Sequence, residues 1–180
     1  MNGYYLAPDM VAQILGILMD YIAVVCTNEM LQKPSICTDL RGLQISFNLQ
    51  ALSSWWRDQP GQGKAQLLTL TQAARLLTMP KSTVEDIQLI CDQARALNVS
   101  RLQRLLHMYR DPEGNPIPAS ILQAGLEQRW LHEQRRVEEP PPLMLQPKPP
   151  GLTVSYTAKD IKLEDLVVPS FLRVPFLVKV

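Results

Sequence analysis

Apolar residues recur along this chain at helical spacing, and turn-forming residues separate the runs. Ile45, Leu49, Leu52 and Trp56 stand at i, i+4, i+7 and i+11, one stripe of a 3.6-residue helix, while Gln44, Asn48, Gln50 and Ser54 largely fall off it. Phe47 reads as a core aromatic by type, but it lies outside that stripe, which leaves an exposed position open to it. Leu67, Leu70, Ala74 and Leu77 form a second stripe, ended by Pro80. Ile87, Ile90, Cys91 and Ala94 form a third, behind a capping-box pattern in which the Ser82 hydroxyl would accept the Glu85 amide hydrogen and the Glu85 carboxylate the Ser82 amide. Asn98 is placed to cap a fourth, with Leu102, Leu105, Leu106 and Tyr109 inward. After the turn chemistry of Asp111-Pro112-Glu113-Gly114-Asn115-Pro116, Pro118 suits the first turn of a helix carrying Leu122, Leu126 and Trp130. Short turns between such stripes predict an all-α, antiparallel helical bundle.

The run over residues 10–26 is apolar almost all round its helix. Crossing a bilayer takes roughly 20 apolar residues. This run is shorter, carries Gln13 and Asp20, and has no basic flank before Lys33. It also lacks a basic leader and a small-residue cleavage site. A buried bundle helix is the expectation, and a helix apolar on several sides needs more protein to cover it.

From Glu138 onward the prolines change the backbone. Pro140-Pro141-Pro142, Pro147, Pro149 and Pro150 deny amide donors and favour extended chain, so no helix is expected between Glu139 and Gly151. The last thirty or so residues gather Val167, Val168, Phe171, Leu172, Val174, Phe176, Leu177 and Val178. These are too apolar to stay in water, which predicts an extended tail packed across the bundle, with a short helix near Lys162 to Asp165. The expected organisation is a helical bundle over residues 1–137 and a proline-rich segment over 138–180. Pro147-Lys148-Pro149-Pro150 is a PxxP core open to an SH3 groove, or a rigid connector. Val178-Lys179-Val180 would suit a PDZ domain, or a carboxylate tethered against the bundle.

Composition narrows the function classes. The 180 residues are 46% apolar and 19% charged, enough for one sizeable core. A net charge of +1, with basic residues scattered, argues against nucleic acid as a partner. Cys26, Cys37 and Cys91 are odd in number and lack metal-ligand spacing, as suits a reducing cytosol. No catalytic or metal-binding residue and no cofactor is expected: His107 and His132 fit helix surfaces, and Asp39, Asp58, Glu85 and Asp86 fit caps or solvated faces. Gly61-Gln62-Gly63-Lys64 fails as a phosphate loop, since Ala65 replaces the magnesium-binding hydroxyl and no glycine stands five residues before Gly63. It reads as a flexible turn.

The segment Gly42-Leu43-Gln44-Ile45-Ser46-Phe47-Asn48, with Leu52 and then Trp56-Arg57-Asp58, resembles the dilute (DIL) domain in the cargo-binding tails of class V myosins. Gln72-Ala73-Ala74-Arg75-Leu76-Leu77 is close to a second motif of that family, and the helices from Ile87 to Leu97 and Leu102 to Tyr109 continue it. Val168-Pro169-Ser170-Phe171-Leu172-Arg173-Val174-Pro175-Phe176-Leu177 is similar to the closing segment of those tails. The resemblance thus runs from about residue 20 to the end, with its core over about 20–137. It implies a non-catalytic cargo or adaptor-binding domain in the cytoplasm, joining vesicles or organelles to actin-based transport, with no motor in this chain. It implies Rab-type GTPases or vesicle adaptors as partners, docked at the positions of Leu43, Phe47 and Thr78. The family more often has Tyr at the Phe47 position and Gln at the Thr78 position. Losing both removes partner hydrogen bonds worth on the order of 1 kcal/mol each, and weakens or redirects GTPase binding. Family tails carry another helical half before this point, so the apolar helix over residues 10–26 is expected to belong to a longer myosin heavy chain or to be covered by another chain. The alternative is a Ras- or Rap-linked junctional scaffold, since dilute domains occur there too.

Overall fold

The computed structural model describes residues 8–58, 67–134, 142–147 and 151. Six helices follow in order: α1 (Pro8–Gln32), α2 (Asp39–Arg57), α3 (Leu68–Thr78), α4 (Val84–Gln93), α5 (Val99–Met108) and α6 (Ala119–Gln134), with a 3-10 turn over Pro34–Ile36 before α2. They form the helical bundle anticipated from the stripes, and among the described residues there is no β-sheet. A single bridge pairs Thr38 with Arg110, where the Arg110 amide donates to the Cys37 carbonyl at 3.0 Å.

The middle of the bundle is α3, which packs against α1, α2 and α5, while α6 closes over α4 and α5. Five of its residues, Leu70, Ala73, Ala74, Leu76 and Leu77, are buried. Small residues set how closely the helices approach. A Cβ on Gly42 of α2 would stand 2.7 Å from the Leu77 Cβ and 3.0 Å from the Thr78 Cγ2, so only glycine fits there. Gly125 of α6 meets the Ile87 side chain in the same way.

Local signals close the helix ends. Thr38 accepts from the Arg41 amide at 3.3 Å, and Asn98 from the Arg101 amide at 2.8 Å. The capping box of α4 stands one residue later than Ser82 and Glu85 suggest. Thr83 is the cap, accepting from the Asp86 amide at 3.1 Å, and the Asp86 carboxylate takes the amides of both Thr83 and Ser82 at 2.9 Å. The Thr83 frame satisfies one amide more than a reciprocal pair does, which decides between two adjacent hydroxyls. Those bonds, the Thr83 amide first, hold the Asp86 carboxyl below its usual range.

Two helices depart from the sequence reading. Helix α1 runs on to Gln32 and is buried on one side only: Leu15, Met19, Ala23, Met30 and Leu31 enter the core, while Leu18, Tyr21 and Val25 are exposed. Its stretch Met10–Gln32 is long and apolar enough, by length and composition, to cross a membrane. In α6, Leu122 and Leu126 are buried but Trp130 is exposed. Arg129 takes the inward place instead, its guanidinium donating to the carbonyls of Cys91 and Leu97, both at 3.0 Å. Two backbone carbonyls at the end of α4 and in the α4–α5 turn draw a charged side chain where periodicity alone would set an indole.

The segment Pro142 to Pro147 is a strap of non-helical chain laid on α1 and α5. The Asn28 side-chain amide donates to the Leu145 carbonyl at 2.9 Å and its oxygen accepts the Leu145 amide at 2.8 Å. Arg101 donates to the carbonyls of Leu143 and Pro142, both at 2.9 Å. Leu143 and Met144 pack on the core. By its internal contacts the chain divides into Met1–Pro150 and Gly151–Val180. The helix expected near Lys162 to Asp165, the apolar tail, the PDZ-type ending, most of the PxxP core and the glycine turn at 61–64 lie outside the described residues.

Candidate partner-docking face

Helix α2 presents two apolar faces. Toward the core it turns Gly42, Leu49 and Trp56, with Ile45 and Leu52 partly covered. On the opposite side Leu43 is 58% exposed, Phe47 72% and Leu40 65%. Leu43 and Phe47 stand one turn apart, so the structure brings these two together on one surface. Thr78, the last residue of α3, is only partly exposed. Its hydroxyl donates to the Arg75 carbonyl at 2.9 Å and its methyl faces Gly42, so it sits on the flank of α2, in the seam between α2 and α3. There its donor is used, and its oxygen keeps only acceptor capacity toward a partner.

Leu40, Ala51 and Trp55 continue the Leu43 and Phe47 side of α2, and all are exposed. The sequence reading missed them. Their signal was present: a second stripe at i, i+3, i+7, i+11 and i+15, half a turn round from the one that seats the helix.

The start of α2 is fixed by a buried junction. Lys81 is 7% exposed; its ammonium donates to the Leu77 carbonyl at 2.7 Å and to that of Met79, and lies 4.0 Å from the centre of the Tyr109 ring. Tyr109 in turn donates its hydroxyl to Asp39 at 2.7 Å, and Asp39 stands 3.8 Å from the Lys81 ammonium. Burial pulls the Lys81 pKa down to about 8, against the pull of Asp39. Burial, then the Asp39 contact, raises that of the Tyr109 hydroxyl. The ends of α3 and α5 are thereby tied to the first turn of α2, which sets the pose of Leu40 and Leu43.

Two grooves flank these elements. One of about 580 Å³ lies between α1 and α2, lined by Ile22, Cys26, Ile45 and Leu52 among others, and is mostly apolar. The other, about 620 Å³ between α4 and α6, is lined by Gln88, Asp92, Arg95, Gln128 and His132 together with Arg129 and Glu133. Neither gathers an activated nucleophile. Burial raises the thiols of Cys26, Cys91 and Cys37, the last to about 11, and the three cysteines are free. His107 and His132 are exposed on helix surfaces. Among the described residues no group of three His, Cys, Asp or Glu side chains converges as a metal site. Among the described residues the outward side of α2 is the feature that stands out.

Comparison with known proteins bears on what that surface is for. The family model for the DIL domain matches residues 13–113. Chicken unconventional myosin-Va is 27% identical over 176 residues, 96% of this chain and 10% of that protein. Myosin-2 of Saccharomyces cerevisiae is 29% identical over 124 residues, 68% of this chain and 8% of that protein. Among solved structures, Myo2-GTD in complex with Smy1 superposes with a TM-score of 0.74 at 22% identity, covering 96% of this chain and 44% of that one. A myosin V cargo binding domain gives 0.69 at 24% identity, covering 81% and 37%. At these identities the structures show a shared fold. The chain spans about a tenth of the length of the myosin-Va it matches and less than half of the solved tail domains.

Proposed function

Because the chain belongs to the DIL-domain family, we propose that it is a non-catalytic cargo-adaptor module of the class V myosin tail type, linking vesicles or organelles to actin-based transport in the cytoplasm. The observation that carries this reading is the outward face of α2. Phe47 and Leu43 stand in water on a helix whose other face seats it firmly in the bundle. Large apolar side chains grouped on a rigid, otherwise well-packed element are the mark of a protein-binding surface. Related tail domains have been solved with Smy1, Inp2 and Mmr1, which supports adaptor proteins as the partner class. Rab-type GTPases are the finer proposal, with Leu43 and Phe47 as contacts and Thr78 at the edge. A phenyl ring in place of a phenol makes Phe47 a purely apolar contact.

The test is a pulldown from cytosol and membrane extracts with the purified chain beside Phe47→Asp, read by mass spectrometry. GTP-loaded Rab proteins or vesicle adaptors should be retained by the wild type and lost with Phe47→Asp. Identical partners on both baits would remove the face, and if those partners were junctional proteins, the scaffold reading would replace the transport one.

A further inference from the structure

The exposed apolar strip on α2 has the dimensions of one helix. Leu40, Leu43, Phe47, Ala51 and Trp55 are all exposed, and at 3.6 residues per turn they stay within about 60° of one line along the helix. The rise per residue makes that line about 23 Å long, and the exposed Gln44 and Ser54 share its arc with the apolar side chains. A globular partner of standard size covers roughly 800 Å². This strip is narrower, and matches the seam that a single helix of about four turns buries when its ridges pack against another's.

Charge gives the occupant a direction. From Leu40 to Arg57 helix α2 holds no carboxylate; its charged residues there are Arg41 and Arg57, both exposed. Arg75 of α3, also exposed, lies one turn before Thr78, which faces Gly42 of α2. The carboxylates near that end are engaged: Asp39 accepts from Tyr109 and faces Lys81, and Glu29, which lines the neighbouring groove with Arg41, pairs with Lys33. At the other end Arg57 is followed at once by Asp58, so the unopposed cation on α2 is Arg41, next to Leu40 in the first turn, with Arg75 on the neighbouring helix. The amide-rich first turn of α2 adds to this charge.

We infer that the partner of this face contributes an amphipathic helix, laid along α2 from Leu40 to Trp55, with carboxylates that meet Arg41 and Arg75. The inference rests on the proposed docking role of α2 and names the element that docks.

The probe is a fluorescent synthetic amphipathic peptide of about five turns with a leucine stripe flanked by glutamates, beside the same stripe flanked by lysines. Binding to the purified chain is followed by anisotropy. The glutamate peptide should bind about tenfold tighter, the equivalent of roughly one well-placed charge pair. Leu40→Asp and Phe47→Asp should each abolish binding, and Arg41→Glu with Arg75→Glu should reverse the preference between peptides. These side chains are exposed, and circular dichroism confirms that each variant is folded. Equal affinity for the two peptides, binding that survives Leu40→Asp and Phe47→Asp, or a preference unmoved by the arginine reversals would overturn the proposal. Self-association of the chain that Phe47→Asp abolishes in sedimentation would assign the strip to a second copy, and overturn it too. The two readings fail separately. If extracts lose partners with Phe47→Asp while the glutamate peptide does not bind, the docking role stands and the helical occupant falls.

Discussion

Lys81 shows how one side chain can cost stability and still organise the molecule. Its ammonium is buried under the Tyr109 ring and shared between two carbonyls at the end of α3, and its pKa falls from 10.5 to about 8. The folded state therefore releases this proton earlier than the unfolded chain does. Between pH 8 and 10.5 the unfolded state holds more protons, so this residue makes stability rise with pH, by roughly 3 kcal/mol across the window. The Cys37 thiol acts in the opposite sense, keeping its proton up to about 11 in the fold against 9.0 outside it, and Tyr109 does likewise higher still. Comparing the wild type with Lys81→Met isolates the lysine. In urea titrations at pH 7.5 and 10, the wild type should gain stability relative to the variant at the higher pH. Parallel pH profiles would mean that the ammonium is not desolvated as the structure places it.

At the level of elements, the connection between α4 and α5 is clasped by a third helix, α6. Arg129 binds the carbonyls of Cys91 and Leu97 while its Nε donates to Glu133 at 2.9 Å, and the other Glu133 oxygen accepts the Val99 amide at 2.9 Å. One ion pair on α6 thus covers both the exit of α4 and the entry of α5. Arg129→Gln or Glu133→Gln should each destabilise the fold by about 2 kcal/mol, since charged hydrogen bonds to otherwise unpaired backbone are lost. The double variant should cost clearly less than the sum, as members of one network do. Additive losses in denaturant titrations would dissolve the network into separate contacts. This clasp was not legible in the sequence. Leu122 and Leu126 announced the inward face of α6, and the next step of that period fell on Trp130, but backbone acceptors left open by a neighbouring turn are invisible to a pattern of apolar positions. By contrast, the stripes at Leu70, Ala74 and Leu77 and at Leu102, Leu105 and Leu106 were legible because those helices have one wet and one dry side. Phe47 was legible for the same reason, by falling off the seat of α2. Leu40 and Trp55 were not, because a helix apolar on opposite sides shows its second stripe only after the first has been assigned to the core.

For the molecule as a whole, the strap over Pro142 to Pro147 joins the first long helix to α5, through Asn28 and Arg101. Asn28→Ala removes two hydrogen bonds to one residue at once, so amide exchange at Leu145 should quicken by about tenfold or more, while the core amides of α3 keep their protection. Unchanged exchange at Leu145 would show that Leu143 and Met144 hold the strap by packing alone. The apolar side of α1 with Leu18, Tyr21 and Val25 is the other feature of this scale, and it was half legible: the run over residues 10–26 announced a helix with more apolar surface than a bundle of this size covers.

The Asn28 contact has a consequence for how such chains change over time. It grips the peptide group of residue 145 and ignores the side chain, so any substitution there except proline leaves both hydrogen bonds available. The letter at position 145 is free to drift while its attachment persists, and the constraint falls on an asparagine more than a hundred positions away.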